Sequence, residues 1–81
     1  RRKEIALERR LRKSRKLAEL GVLAAGVAHE LGAPLSVIDG QAQRLERRAT
    51  DETQRRPLAR IRGEVARIVT IVRQLMELGP R

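Results

Sequence analysis

Cysteine, phenylalanine, tyrosine and tryptophan are absent from these 81 residues, and there is one methionine and one histidine. Without cysteine no disulfide can form and no thiolate can hold a metal, which suits a reducing compartment. Without aromatics there are no rings to stack on bases, and the side chains that most often anchor interfaces are missing. No unbroken apolar run approaches the roughly 20 residues that span a bilayer, and no signal-peptide pattern opens the chain. What remains is rich in Ala, Leu, Val, Ile, Arg and Glu, the mixture of long helices and coiled coils. Starting at Arg1 and closing on Gly79-Pro80-Arg81, the chain reads as an excised piece of a longer protein.

Acidic residues are scarce as well. The net charge is +9, and residues 1–16 hold nine Lys or Arg against Glu4 and Glu8, leaving +2 for the other 65 residues. Charge placed on one arm, not across a fold, reads as a solvated basic helix leading in from an upstream domain. A position beside acidic lipid is the second reading of that arm.

The apolar residues are spaced for helices. Leu17, Leu20, Ala24, Val27, Leu31, Leu35, Ile38, Ala42 and Leu45 follow one another at steps of three and four. One extra step of four, a stutter, lies between Leu31 and Leu35 and contains Pro34. A second seam runs through Leu58, Ile61, Val65, Ile68, Val72 and Leu75 without interruption. The polar stretch Arg48–Arg56 has no seam. Thr50 or Thr53 can cap the second helix, Pro57 suits a first turn, and Gly79-Pro80 is a stop signal. The predicted organisation is all-α: a basic lead-in over 1–16, then a domain over 17–80 with helix 1 at about 3–47, a loop at about 48–56 and helix 2 at about 57–78. Two helices cannot close a core, so the hairpin is expected to dimerise into an antiparallel four-helix bundle, the longer helix continuing upstream as a parallel coiled coil. The expected dimer core is Leu17, Leu20, Ala24, Val27, Leu31, Leu35, Ile38, Leu45, Leu58, Ile61, Val65, Ile68, Val72 and Leu75.

His29 falls roughly 160° from the mean direction of the first seam, at about 100° per residue. It is therefore expected to face solvent, with Val22, Ala25, Ser36, Gly40 and Gln43 on its face and Arg47 further down. A second stripe of small residues, Gly21, Ala25, Ala28 and Gly32, reads as a surface for close helix packing. Pro34 removes the N–H that would bond the Glu30 carbonyl, at about 3 kcal/mol in a regular helix, and Gly32 adds about 1 kcal/mol relative to Ala. Such a defect is kept for a bend or for function. Pro34 and Gly32 are accordingly the candidate helix-bending residues, beside the one imidazole. Glu30 can accept the Nδ1 proton and leave the Nε2 lone pair outward, an arrangement for nucleophilic chemistry in which a group passes onto and off His29.

The stretch AAGVAHELGAPLSVI resembles the H-box of sensor histidine kinases of two-component systems, whose pattern is His-Glu followed by a Pro-Leu pair. Leu17-Ala18-Glu19-Leu20-Gly21 and Arg73-Gln74-Leu75-Met76-Glu77-Leu78 fit the same family, so the similarity covers roughly residues 15–80. The resemblance implies a dimerisation and histidine-phosphotransfer domain. In it His29 would take the γ-phosphoryl of ATP on Nε2, Glu30 would be the base or orienting carboxylate, and Pro34 would permit bending between states. The phosphoryl would pass to an aspartate of a response-regulator receiver domain docking near Val22, Ala25, Ser36, Gly40, Gln43 and Arg47. ATP and Mg²⁺ would come with a separate ATP-binding domain or the receiver. No Asn-containing nucleotide box or phosphate loop is present, so the chain alone is expected to bind no cofactor or metal and to be inactive as an autokinase. Many members carry Thr or Asn four residues after the phosphoacceptor to position water; Ala33 stands there, which implies weak phosphatase activity by that route. The resemblance also implies a cytoplasmic location, as part of a membrane-bound or soluble bacterial kinase.

Two rival readings are open on the residues alone. A basic-zipper-like DNA binder would use the arm and the heptads, but it leaves Pro34, the hairpin and His-Glu without a role and lacks an Asn-rich base-reading face. A purely structural dimeric bundle needs no chemistry at His29.

Overall fold

The computed structural model describes residues 1–80; Arg81 lies outside the described residues. Two helices, α1 (Arg2–Arg48) and α2 (Glu52–Met76), fold back on one another as a hairpin, and no strand occurs among the described residues. The molecule is a rod of 69 × 21 × 14 Å. That length is set by α1, whose 47 residues at about 1.5 Å each outrun α2. Residues 1–16, the basic arm, are exposed throughout, as is Leu17, because α2 ends level with Gly21.

The connection is shorter than the sequence suggests. Only Ala49, Thr50 and Asp51 separate the helices, where a loop over 48–56 is expected. The missing seam in Glu52–Arg56 misleads, since Glu, Gln and Arg are good helix formers whether or not they meet a core. The cap is Asp51, not Thr50 or Thr53: its Oδ1 accepts from the Gln54 N–H at 2.9 Å. Gln54 answers by accepting through Oε1 from the Thr50 N–H (2.9 Å) and the Thr50 hydroxyl (3.3 Å). Arg55 donates to the Ala49 carbonyl at 3.2 Å and pairs with Glu52 at 3.2 Å, tying the new helix to the end of the old one. With α2 starting at Glu52, Pro57 stands in the second turn instead of the first. There its missing N–H leaves the exposed Thr53 carbonyl to solvent. At the other end α2 stops at Met76, two residues before the expected 78. The chain tightens into short turns, the Leu78 N–H donating to the Leu75 carbonyl and the Gly79 N–H to that of Met76.

Contact between the helices is made first by small residues. Gly21, Ala24 and Ala42 are the buried positions of α1, and α2 has none. Leu31, Leu35, Leu58, Val65, Val72 and Leu75 are half-buried. The remaining members of the expected dimer core, Leu17, Leu20, Val27, Ile38, Leu45, Ile61 and Ile68, are exposed in the single chain. The hairpin divides each seam into an inner flank that meets the other helix and an outer flank left exposed. An interhelical ion pair closes the lower end, where Arg62 donates to Asp39 (3.3 Å) and to Glu46 (3.4 Å).

One 18-residue window of α1 has mean hydropathy 1.4, so the helix is long and apolar enough to cross a membrane by length and composition, which an unbroken-run reading misses. Apolar residues at heptad steps, with His29 and Glu30 inside the stretch, suit a helix partner equally well.

Candidate functional site

His29 and Glu30 lie in the middle of α1, one turn before Pro34, and the helix runs unbroken through all three. Both side chains are exposed, as are Gly32, Ala33 and Pro34. Among the described residues neither His29 nor Glu30 makes a side-chain hydrogen bond or ion pair, so the imidazole presents its nitrogens to solvent. Pro34 lacks the N–H that would reach the Glu30 carbonyl, and that oxygen therefore stands free of the helical ladder beside the histidine.

A groove of about 830 Å³ runs between the helices just below His29. On the α1 side its wall is Ala28, Leu31, Gly32, Leu35, Ser36 and Asp39, which brackets His29 in sequence. At about 100° per residue His29 stands roughly 20° around the helix from Ser36 and roughly 60° from Gly32, so it overlooks this groove from its rim. The opposite wall comes from α2, including Ala66, Val69, Thr70, Arg73 and Met76. The Thr70 hydroxyl donates back to the Ala66 carbonyl at 3.0 Å. No metal-holding group of His, Cys, Asp or Glu occurs among the described residues.

The face read from the sequence maps onto this geometry in part. Val22, Ala25, Ser36, Gly40, Gln43 and Arg47 are all exposed, but of these only Ser36 lines the groove. The small stripe divides likewise. Gly21 packs directly on the backbone of Leu78 and Gly79, whereas a Cβ at Gly32 would meet nothing within 4 Å. Sequence reading missed the α2 wall. Ala66, Thr70 and Arg73 follow one another at steps of four and three beside the second seam, and the register set by the Gly21–Gly79 and Asp39–Arg62 contacts brings them level with Pro34, Glu30 and Val27.

Residues 19–80 match the His Kinase A (phospho-acceptor) domain, and the chain belongs to that family. It is similar to the signal transduction histidine-protein kinase AtoS of Escherichia coli (strain K12), 38% identical over 72 residues covering 89% of this chain and 12% of that protein. It is also similar to the sensor histidine kinase ZraS of the same strain, 40% identical over 73 residues, 89% of this chain and 16% of that protein. Sporulation kinase D of Bacillus subtilis (strain 168) is 35% identical over 77 residues, 95% of this chain and 15% of its own. The chain thus spans only 12–16% of the length of these relatives. No solved structure matches it.

Proposed function

We propose that this chain is the dimerisation and phosphoacceptor domain of a bacterial sensor histidine kinase, and that His29 carries the phosphoryl group. The observation that supports this most is the placement of the chain's one imidazole: exposed, mid-helix, followed by a carboxylate, on the rim of a groove whose α1 wall includes the small residues Ala28, Gly32 and Ser36. In this reading the Nε2 lone pair attacks the γ-phosphorus of ATP held by a separate domain. The bond to the ADP oxygen breaks as the N–P bond forms, and Glu30, whose side chain has no partner among the described residues, would turn to accept the Nδ1 proton and stabilise positive charge on the ring. Mg²⁺ would arrive with the nucleotide or with the receiver. The N–P bond then breaks in turn as an aspartate of a receiver domain takes the phosphoryl.

Docking of that receiver would use the groove. Its α1 wall at Gly32 and Ser36 lies next to the donor, and Thr70, Arg73 and Met76 extend the predicted face onto α2. Small side chains let a partner helix approach closely enough for in-line transfer, where positioning supplies much of the rate. Pro34 and Gly32 would let α1 bend between states. The exposed outer flank, Leu20, Val27, Ile38, Leu45, Ile61 and Ile68, supports a homodimeric four-helix bundle, with the basic arm leading in as a parallel coil. The location would be cytoplasmic, in a membrane-bound or soluble kinase. Alone, the chain would not phosphorylate itself.

The test supplies the ATP-binding domain of the full-length kinase in trans, with Mg²⁺ and labelled ATP, and compares this chain with His29→Gln. Acid-labile, base-stable label on the unmodified chain only is the expected result. No label on either, with a dimeric chain and a competent ATP-binding domain, would favour a purely structural bundle instead.

A further inference from the structure

Two cations line the groove below His29, Arg62 and Arg73. Arg62 is engaged by Asp39 and Glu46. Arg73 is exposed and makes no salt bridge among the described residues, although Glu77 follows it one turn later. The register of the hairpin fixes where Arg73 stands. Gly21 meets Gly79, and Asp39 meets Arg62. Counting six residues on from Gly21 and six back from Gly79 sets Arg73 level with Val27 and Ala28, beside His29. It is also on the histidine's side of the hairpin, because it shares the groove with Ala28, Gly32 and Ser36. The α1 wall next to His29 is low at two points, with a methyl group at Ala28 and no side chain at Gly32, where even an added Cβ would touch nothing within 4 Å.

We infer that Arg73 is the electrostatic partner of the phosphoryl group on His29, its guanidinium reaching across the Ala28–Gly32 gap to the phosphoryl oxygens. The assignment rests on His29 being the phosphoacceptor. A phosphoryl on Nε2 is an anion placed on α1 with Glu30 as its immediate charged neighbour, which repels it; from α2 the charged groups at this level are Arg73 and Glu77. A guanidinium keeps its charge at any working pH and presents a planar fork suited to two phosphoryl oxygens. It would hold the group in one orientation for in-line attack and favour its dianionic form. With no carboxylate bound to it among the described residues, Arg73 can engage the phosphoryl without first breaking an ion pair.

The test uses phosphoramidate on the whole chain. Its P–N bond breaks as a bond to an imidazole nitrogen forms and ammonia leaves. His29 is the sole histidine, so the product carries one phosphohistidine. The phosphorus NMR shift is then titrated with pH in the wild type, Arg73→Gln, Arg73→Lys and the control Arg67→Gln, whose native side chain lies beside Glu64. Losing a cation disfavours the dianion, so Arg73→Gln should raise the phosphoryl midpoint by about half a pH unit or more. Arg73→Lys should restore most of the difference and Arg67→Gln should leave the midpoint unmoved. Equal midpoints in wild type and Arg73→Gln, or an equal shift in Arg67→Gln, overturn the assignment. Because the donor is a small molecule, this result is read independently of whether an ATP-binding domain labels His29.

Discussion

Gly21 lies against the backbone of Gly79, with no room between them for a methyl group. A Cβ at Gly21 would sit 2.5 Å from the Gly79 Cα and 2.8 Å from the Leu78 carbonyl carbon. These neighbours are backbone atoms and cannot swing aside. The contact marks where α2 ends against α1 and fixes the register that carries Arg73 to the level of His29.

Gly21→Ala should therefore open this end of the hairpin, costing about 1–3 kcal/mol as overpacking does. Gly63→Ala should do the reverse. Gly63 is exposed within α2 with nothing within 4 Å of an added Cβ, so the better helix propensity should stabilise by up to about 1 kcal/mol. Urea unfolding of the two variants beside the wild type checks this, and effects of the same sign would sink it.

Arg62 joins α1 positions one heptad apart, and pairing with Asp39 first and Glu46 second raises its guanidinium pKa above the ordinary value. A raised cation contributes stability that is complete below its unfolded pKa and lost only as pH climbs through the folded one. Both lie above the working range. Arg62→Gln should lower Tm by an amount that stays constant between about pH 7 and pH 10, since a guanidinium does not titrate there. The difference should shrink with added salt, because the pair is part-exposed. Thermal melts at two salt concentrations across that pH range measure both, and a loss that vanishes by pH 10 would contradict the assignment.

Much of this was legible in the residues. Three-and-four spacing located both helices and their antiparallel pairing, and the 160° offset placed His29 in solvent. Helix boundaries were less legible, because a seam records burial, not helicity. Glu52–Arg56 is helical without touching a core, and the cap that starts it is Asp51, accepting from the Gln54 N–H, where Thr50 or Thr53 is expected from the sequence. The α2 wall of the groove was missed for a different reason: Thr70 and Arg73 acquire a place near His29 only once the register is known. The split of each seam into inner and outer flanks likewise depends on where the second helix lies.

The start of α2 gives a paired test. Asp51→Ala removes the acceptor for the Gln54 N–H and should cost about 0.5–2 kcal/mol. Pro57→Ala should stabilise, because in the second turn an N–H can reach the Thr53 carbonyl and the ring no longer crowds it. Had Pro57 stood in the first turn, as the sequence suggests, the gain would be small. Circular dichroism melts of both variants decide between these placements.

The outer flank predicts association. Val27 and Ile38 are 40% and 46% exposed, and Ile61 and Ile68 share their side of the hairpin on α2. Burying an Ile contributes about 1.5–3 kcal/mol, and a symmetric dimer counts each position twice. Ile38→Lys should weaken the dimer by at least about tenfold, equivalent to about 1.4 kcal/mol. Sedimentation equilibrium across a concentration series reads this directly. A wild-type chain that stays monomeric at high micromolar concentration would remove the basis for the four-helix bundle.

Ala33 stands one turn after His29, exposed, with a methyl group where a hydroxyl or amide could hold water against a docked receiver's phosphoaspartate. Hydrolysis there needs an acceptor or donor that orients the attacking water, and a methyl group offers neither. The chain should therefore speed dephosphorylation of a receiver that accepts phosphoryl from His29 by little over the receiver's own rate. Ala33→Thr introduces a hydroxyl on the same face at a modest cost in helix propensity, about 0.7 kcal/mol or less, so the hairpin should persist. A positioned general-base or water-holding group typically contributes 10²–10⁴-fold. A gain of even about tenfold in phosphate release from the labelled receiver would show that geometry at position 33, not docking, is what limits the reaction. No gain, with receiver binding intact, would place the deficit in the water's path to the phosphoaspartate or in the bend of α1 at Pro34.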